Sequence, residues 1–240
     1  MRQTLDLSAR RIEAAVDQID PVFLRTPQFL DKRLSSELGR EVVVKVETLN
    51  PIGSFKGRGT SVLARELDPG RTWVCSTAGN FGQGLAYAAR ERGAAVEVFV
   101  SAAAPPAKVT RMRALGARVE IRDRPGAAAR DHAAESDERL LVVDGLHTAT
   151  AEGAGTIGIE LAAAGELDTV VVQVGDGALI SGVACWLKEA APRTRIVGVC
   201  ASGAPAMARS FEARRPVTVE GAGTIAAALA ITEPVPESVA

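Results

Sequence analysis

Apolar positions along this chain switch between helical and strand-like spacing, and the switches divide it into short elements. Ile12, Ala15, Val16 and Ile19 fall at helical spacing behind a capping Ser8, and Asp20-Pro21 ends that helix. Arg25-Thr26-Pro27 reads as extended, a short helix runs through Leu30, Leu34 and Leu38 to Gly39, and 41–46 has the β-branched density of a strand. From Arg71 the alternation becomes regular. Strands are expected at 72–76, 95–100, 119–122 and 140–143. Between them lie helices at 81–91, after Pro105-Pro106 through Val109, Met112 and Leu115, and in an Ala-rich stretch to 138. A second series follows, with a helix at 156–164, a strand at 168–174, a helix at 180–190 and a strand at 195–200.

Such βαβ units imply parallel strands, with ligands gathering at their carboxyl ends. The expected organisation is α/β with two units and a cleft between them. Residues 67–148 form a smaller α/β domain, and 1–66 with 149–240 form a larger, discontinuous one. The hexapeptide Glu-Gly-Ala-Gly-Thr-Ile occurs at Glu152 and again at Glu220, but its surroundings do not repeat.

Composition narrows the partners. In 240 residues, 47% are hydrophobic and only 4% aromatic, so the core is expected to be Ala, Val, Leu and Ile, as in helix-covered parallel sheets. A formal charge of -1 offers no field for nucleic acid. The longest apolar run, around 224–231, is far too short to span a membrane, and the charged start lacks a signal-peptide core, which leads us to expect a cytoplasmic protein. Cys75, Cys185 and Cys200 suit reduced thiols, and His132 and His147 lie too far apart to suggest a metal site. His132 is expected to be exposed. His147, after the turn Asp144-Gly145, could line a cleft, although loop histidines are more often solvated.

Three stretches carry candidate chemistry. The first is Asn50 to Gly59, a glycine-flanked turn with Lys56 at its centre. Lysine is scarce here, occurring at Lys32, Lys45, Lys56, Lys108 and Lys188. Of the common cationic side chains only lysine can lose its proton near neutral pH when desolvated, and its free amine forms a Schiff base with an aldehyde. The plainer reading is a solvated turn lysine. In the second, Ser76-Thr77-Ala78-Gly79-Asn80-Phe81-Gly82-Gln83-Gly84 joins a strand to a helix, so its N–H groups make an anion seat, or Asn80 simply caps the helix. The third, Gly175-Asp176-Gly177-Ala178-Leu179, has the layout that holds a phosphate on backbone amides. Asp176 fits that role only if its carboxylate turns away, because two close anions repel. An aldehyde-reactive lysine, an Asn-bearing anion seat and a phosphate-type loop together meet the needs of pyridoxal 5'-phosphate.

The chain resembles the fold-type II pyridoxal-phosphate-dependent enzymes, the tryptophan synthase β-subunit-like superfamily, and within it the threonine/serine dehydratase and serine racemase branch. Ser54-Phe55-Lys56-Gly57-Arg58-Gly59 is similar to that branch's lysine motif. Arg25-Thr26-Pro27, Thr77-Ala78-Gly79-Asn80 with Gln83-Gly84, Gly153-Ala154-Gly155-Thr156 and 175–182 match in order. The resemblance implies two parallel-sheet, three-layer αβα units. It implies that Lys56 holds the cofactor and acts as base at the substrate Cα, and that Asn80 bonds the ring hydroxyl beside Phe55. Gly175, Asp176, Gly177, Ala178 and Leu179 would hold the phosphate, and Ser76, Thr77, Ala78, Gly79 and Asn80 the substrate carboxylate. A small amino-acid substrate, β-elimination to a 2-oxo acid and ammonia, and a homodimer are implied as well. β-Replacement and a non-catalytic, truncated relative remain as alternatives.

Several positions depart from the branch. Ala78 fills the place of the racemases' second base, so dehydration is expected over racemisation. Asp176 and Ala178 replace two glycines of the dehydratases' phosphate loop. Cys200 stands where several relatives carry a cation-binding acid, so no metal site is expected. The family's chains also run further, adding sheet and a residue that bonds the pyridine nitrogen, so the C-terminal part of the larger unit is expected to be missing.

Overall fold

A computed structural model describes residues 5–77 and 79–239. Helix α1 (Ala9–Ala15) is followed by two short 3-10 turns, then strand β1 (Gln28–Leu30), helix α2 (Lys32–Leu38) and strand β2 (Val43–Lys45), which pairs antiparallel with β1. Helix α3 (Lys56–Glu66) leads into a run of alternating elements: β3 (Thr72–Ser76), α4 (Asn80–Arg92), β4 (Val96–Val100), α5 (Pro106–Ala114), β5 (Arg118–Ile121), α6 (Pro125–Ala134) and β6 (Arg139–Leu141). After α7 (Thr148–Ala162) come β7 (Thr169–Gln173), α8 (Ala178–Ala190), β8 (Arg195–Val199) and α9 (Ala206–Ala213). None of the helices is long and apolar enough to cross a membrane among the described residues.

The strands β5-β4-β3-β6 form one parallel sheet in that order. Side chains alternate across it as the period of two requires. Trp73, Cys75, Val96, Val98 and Val119 face a cluster with Leu63, Phe81, Leu85 and Met112 of α3, α4 and α5. Val74, Phe99 and Leu141 face Ala129 of α6 on the other side. This sheet is therefore the middle of three layers. The first cluster also takes in Ala15, Ile19 and Phe23, so the N-terminal segment is anchored on the same core.

The second parallel pair, β7 with β8, departs from the expected three layers. Val170 and Val172 pack on Ile157, Leu161, Val183 and Leu187 of α7 and α8, but Val171 and Val199 on the opposite face are 65% and 47% exposed. The antiparallel β1–β2 pair also departs from an all-parallel arrangement.

Local corrections have local causes. Leu30 is the end of β1, paired with Val43, rather than part of a helix; α2 starts after Asp31, whose carboxylate accepts from the Arg33 and Leu34 N–H groups at 3.0 Å each. Ser8 flanks α1 in an extended conformation without a side-chain cap, and donates its backbone N–H to Glu152. Helix α7 begins at Thr148, well before the expected 156, and runs through three glycines. Those glycines are where other helices come closest. A Cβ at Gly153 would lie 2.6 Å from the Gly59 Cα, and one at Gly155 would lie 2.9 Å from the Gly182 carbonyl oxygen. Close approach outweighs poor helix propensity here. The repeated hexapeptide makes the same point: its first copy is buried helix in α7, while its second, at 220–225, lies in an irregular segment with Ile225 fully exposed.

Candidate active site

Lys56 is the first residue of α3, not the centre of a turn. The loop before it is folded by Asn50, whose amide donates to the Glu47 and Ser54 carbonyls and whose oxygen accepts from the Ile52 and Ser54 N–H groups. Ser54 Oγ then accepts the Lys56 backbone N–H at 3.2 Å. One residue on, Gly57 is required: a Cβ there would lie 2.3 Å from the buried Phe23 ring.

Arg58 anchors this turn from beneath. It is fully buried, and its guanidinium reaches Glu47 through Nε and Nη2 and Glu160 through Nη1 and Nη2, at 2.7–3.0 Å. Lys45 Nζ joins Glu160 at 2.5 Å and the Thr26 carbonyl at 2.8 Å, while Thr156 Oγ1 accepts from Arg58 at 3.0 Å. The Arg25-Thr26, Lys56-Gly57-Arg58 and Gly153 to Thr156 motifs thus meet in one buried ionic network. Burial opposes ionisation of Glu160, but Arg58, Lys45 and the Arg25 N–H outweigh it and hold its pKa at about 2.

Lys56 Nζ lies in a cavity of about 520 Å³, where Ser54, Phe55, Ser76, Thr77, Gly79, Asn80, Gly175, Asp176, Gly177 and Leu179 also line the wall. The cavity is open to the carboxyl end of β3 and to the first turns of α4 and α8. The ammonium is 5.5 Å from the Phe55 ring centroid and 5.9 Å from that of Phe81. It donates to both Asp144 oxygens at 3.0 and 2.9 Å, and pairs with Asp176. Burial pulls the Lys56 pKa down, but the two carboxylates more than reverse this and leave it raised. Desolvation alone therefore does not free the amine in this arrangement. Burial and the charge of Asp176 push Asp144 up to about 7, whereas Asp176, held by Lys56 and the Ala178 N–H against its own desolvation, stays below the usual carboxylate value.

The Asp176 carboxylate does not turn away from the loop. Its Oδ1 accepts the Ala178 N–H at 2.9 Å, at the start of α8, with Gly177 in the left-handed conformation at φ 99. Ala178 is buried and, unlike its neighbours Gly177 and Leu179, does not line the cavity. Asn80 is not the cap of α4: Gly79 holds that position, Thr77 Oγ1 accepts the Gly79 N–H at 3.0 Å, and Asn80 Oδ1 accepts from Gln83 at 3.1 Å. Among the described residues no side chain caps α4. Ala78 lies outside the described residues.

The remaining candidates sit elsewhere. His147 flanks α7, half-buried with its pKa lowered by desolvation, and does not line the cavity. His132 is not freely exposed: its Nε2 is 2.5 Å from Glu97. Cys75 is buried, with its thiol pushed up to about 12 by desolvation, while Cys185 and Cys200 are free and partly exposed. No motif in the sequence marks Asp144, Glu47 or Glu160 as part of the site. Asp144 carried a signal nonetheless, since it follows a parallel strand at its carboxyl end, and Glu160 stands beside Ile159 and Leu161 in a largely buried helix, where a carboxylate calls for a partner.

This geometry can be set beside known proteins. The profile of the family described as "Pyridoxal-phosphate dependent enzyme" matches residues 19–240. The chain belongs to that family. It is 31% identical over 240 residues to the L-threonine dehydratase biosynthetic IlvA of Lactococcus lactis subsp. lactis, covering 94% of this chain and 58% of that protein. Against the phenylserine dehydratase of Ralstonia pickettii it is 37% identical over 211 residues, covering 85% of this chain and 64% of that one. The crystal structure of the T.th. threonine deaminase superposes with a TM-score of 0.87 at 30% identity, covering 95% of this chain and 76% of that one. This family member thus spans about three-fifths of the length of those two curated relatives.

Membership implies pyridoxal phosphate, and the residues present fit it. A primary amine projects into a cavity between two helix N-termini, and the start of α8 already accepts an anion, the Asp176 carboxylate, on a backbone N–H. Lys56 would hold the aldehyde end, and the 175–179 loop the phosphate.

Proposed function

We propose that this family member is a pyridoxal-phosphate-dependent ammonia-lyase that eliminates the β-hydroxyl of threonine or serine, giving a 2-oxo acid and ammonia. The observation that carries the reading is the position of Lys56 Nζ, 2.9 Å from Asp144 in the cavity that Gly79, Asn80 and Phe81 at the start of α4 also line. When bound, pyridoxal phosphate supplies an aldehyde for an amine and a ring that withdraws electrons from the substrate Cα.

The chain's own residues supply the rest. The Lys56 amine would hold the aldehyde end of the cofactor and, when free, would take the proton from the substrate Cα. Before linking it must give up its proton, and Asp144, raised to about 7, is the neighbouring group with the affinity to exchange one near neutral pH. Thr77, Gly79 and the first N–H groups of α4 would orient the substrate carboxylate, and the Phe55 and Phe81 rings, 5.5 and 5.9 Å from the amine, give the cavity its apolar wall. Ala78 has no titratable group, so the chain offers no second base there, which favours elimination over racemisation.

The test is to incubate the purified protein with pyridoxal phosphate, reduce with borohydride and locate the adduct by mass spectrometry, then assay 2-oxo acid release from threonine and serine. An adduct on Lys56 together with 2-oxo acid supports the reading. Absence of the adduct after full cofactor loading refutes it, and a thiol-dependent change of product points to β-replacement instead.

A further inference from the structure

The carboxylate of Asp176 occupies a backbone N–H at the start of α8 that an anionic ligand of the 175–179 loop would use. It accepts the Ala178 N–H at 2.9 Å at the start of α8 and pairs with Lys56. Both partners are ones a phosphate-bearing aldehyde would need: the backbone donor for its phosphate and the lysine for its aldehyde. The loop has little room to accommodate both anions by moving. A Cβ at Gly175 would already lie 2.9 Å from the Ala228 carbonyl oxygen, and one at Gly177 would be 3.2 Å from Met207 and Ser238.

We propose that Asp176 is a built-in competitor for the phosphate seat, so that a phosphorylated ligand enters only by displacing its carboxylate from the α8 N-terminus. The inference rests on the cofactor reading above for the identity of the ligand, but the competition itself concerns any phosphate. Two anions cannot share one N–H donor at the end of a helix, and each is stabilised there by the same helix dipole. The loop therefore binds phosphate more weakly than its glycines alone would allow, and loses bound cofactor more readily.

The experiment compares the wild type with Asp176→Asn and Asp176→Gly. Asparagine keeps an oxygen to accept the Ala178 N–H and removes the charge, whereas glycine vacates the seat. Thermal melts establish that each variant is folded. Binding of inorganic phosphate is measured by calorimetry, and binding of pyridoxal phosphate and of pyridoxal, which lacks the phosphate, by absorbance. The proposal expects inorganic phosphate and pyridoxal phosphate to bind at least about tenfold more tightly to Asp176→Asn, the scale of one charge-assisted contact, and more tightly still to Asp176→Gly. Pyridoxal shares only the lysine, so it should gain less than pyridoxal phosphate does, by at least about tenfold, and that difference reports the phosphate seat. Equal gains for the two aldehydes would mean that Asp176 acts only through Lys56, and would overturn the proposal. Unchanged or weaker phosphate binding would overturn it as well. If no variant forms a borohydride-stable adduct on Lys56, the cofactor reading fails, and the inorganic-phosphate titration still decides the role of Asp176.

Discussion

The Lys56 ammonium donates to both oxygens of Asp144, at 3.0 and 2.9 Å, across 88 residues of sequence. One group opens α3 and the other follows β6, so the pair ties the helix that presents the amine to the edge of the four-stranded sheet. It also sets the protonation of the amine, because Asp144 and Asp176 together reverse the effect of burial.

Removing one of those carboxylates should therefore release the amine. In Asp144→Asn, burial regains weight, the Lys56 pKa falls, and the pH profile of Lys56 labelling by an amine-directed reagent moves to lower pH. Peptide mass spectrometry across a pH series measures it. A profile that stays in place would show that Asp176 alone holds the charge.

Arg58 should be a larger determinant of stability than its position in a loop-to-helix turn suggests. Arg58→Ala leaves Glu47 and Glu160 facing each other in the interior, at a cost of about 3–5 kcal/mol. Arg58→Lys cannot reach both carboxylates with a planar fork and should lose about half of that. Urea denaturation gives both values.

Helix packing makes an opposite pair of glycine predictions. A Cβ at Gly182 would lie 1.9 Å from the Ala151 carbonyl oxygen, a backbone atom that cannot rotate aside, so Gly182→Ala should destabilise by about 3 kcal/mol or more. At Gly126, in the first turn of α6, the nearest atom is the end of Arg130 at 3.8 Å, and Gly126→Ala should stabilise by about 0.5–1 kcal/mol. Thermal or chemical melts distinguish the two.

The acid limb of stability should carry the signature of Glu160. Its pKa falls on folding from 4.5 to about 2, so its contribution is present above the higher value and lost as pH drops through the lower one. Glu160→Gln should flatten stability over that window while lowering it at pH 7. Asp144 has the reverse sign: its pKa rises from 3.8 to about 7, so what it contributes is present at acid pH and lost as pH climbs to about 7. Denaturation of the two variants at a series of pH values separates the effects.

Much of this was legible in the chain. The alternation from Arg71 onward marked the four parallel strands and their helices to within a few residues, because helices cover both faces of that sheet and each helix buries one side against it. Lys56, Asn80 and 175–179 were marked by residue type at strand-to-helix turns, and those turns converge on one cavity. Elsewhere local signals misled. Leu30 had helical spacing but was captured by pairing with Val43, and the glycines of α7 hid a helix that only its close packing on α3 and α8 explains.

What the sequence determined by itself was therefore the α/β alternation, the family motifs and the choice of Lys56 as the candidate amine, since these rest on periodicity and on chemistry that only certain side chains possess. The tertiary structure alone decided the electrostatic state of that lysine. Asp144 and Asp176 lie 88 and 120 residues away from it, and a pKa depends on separation in space and on burial, neither of which is written in sequence spacing. The same holds for Arg58 and its two carboxylates, whose shared burial comes from the approach of α3, β2 and α7 rather than from any local pattern.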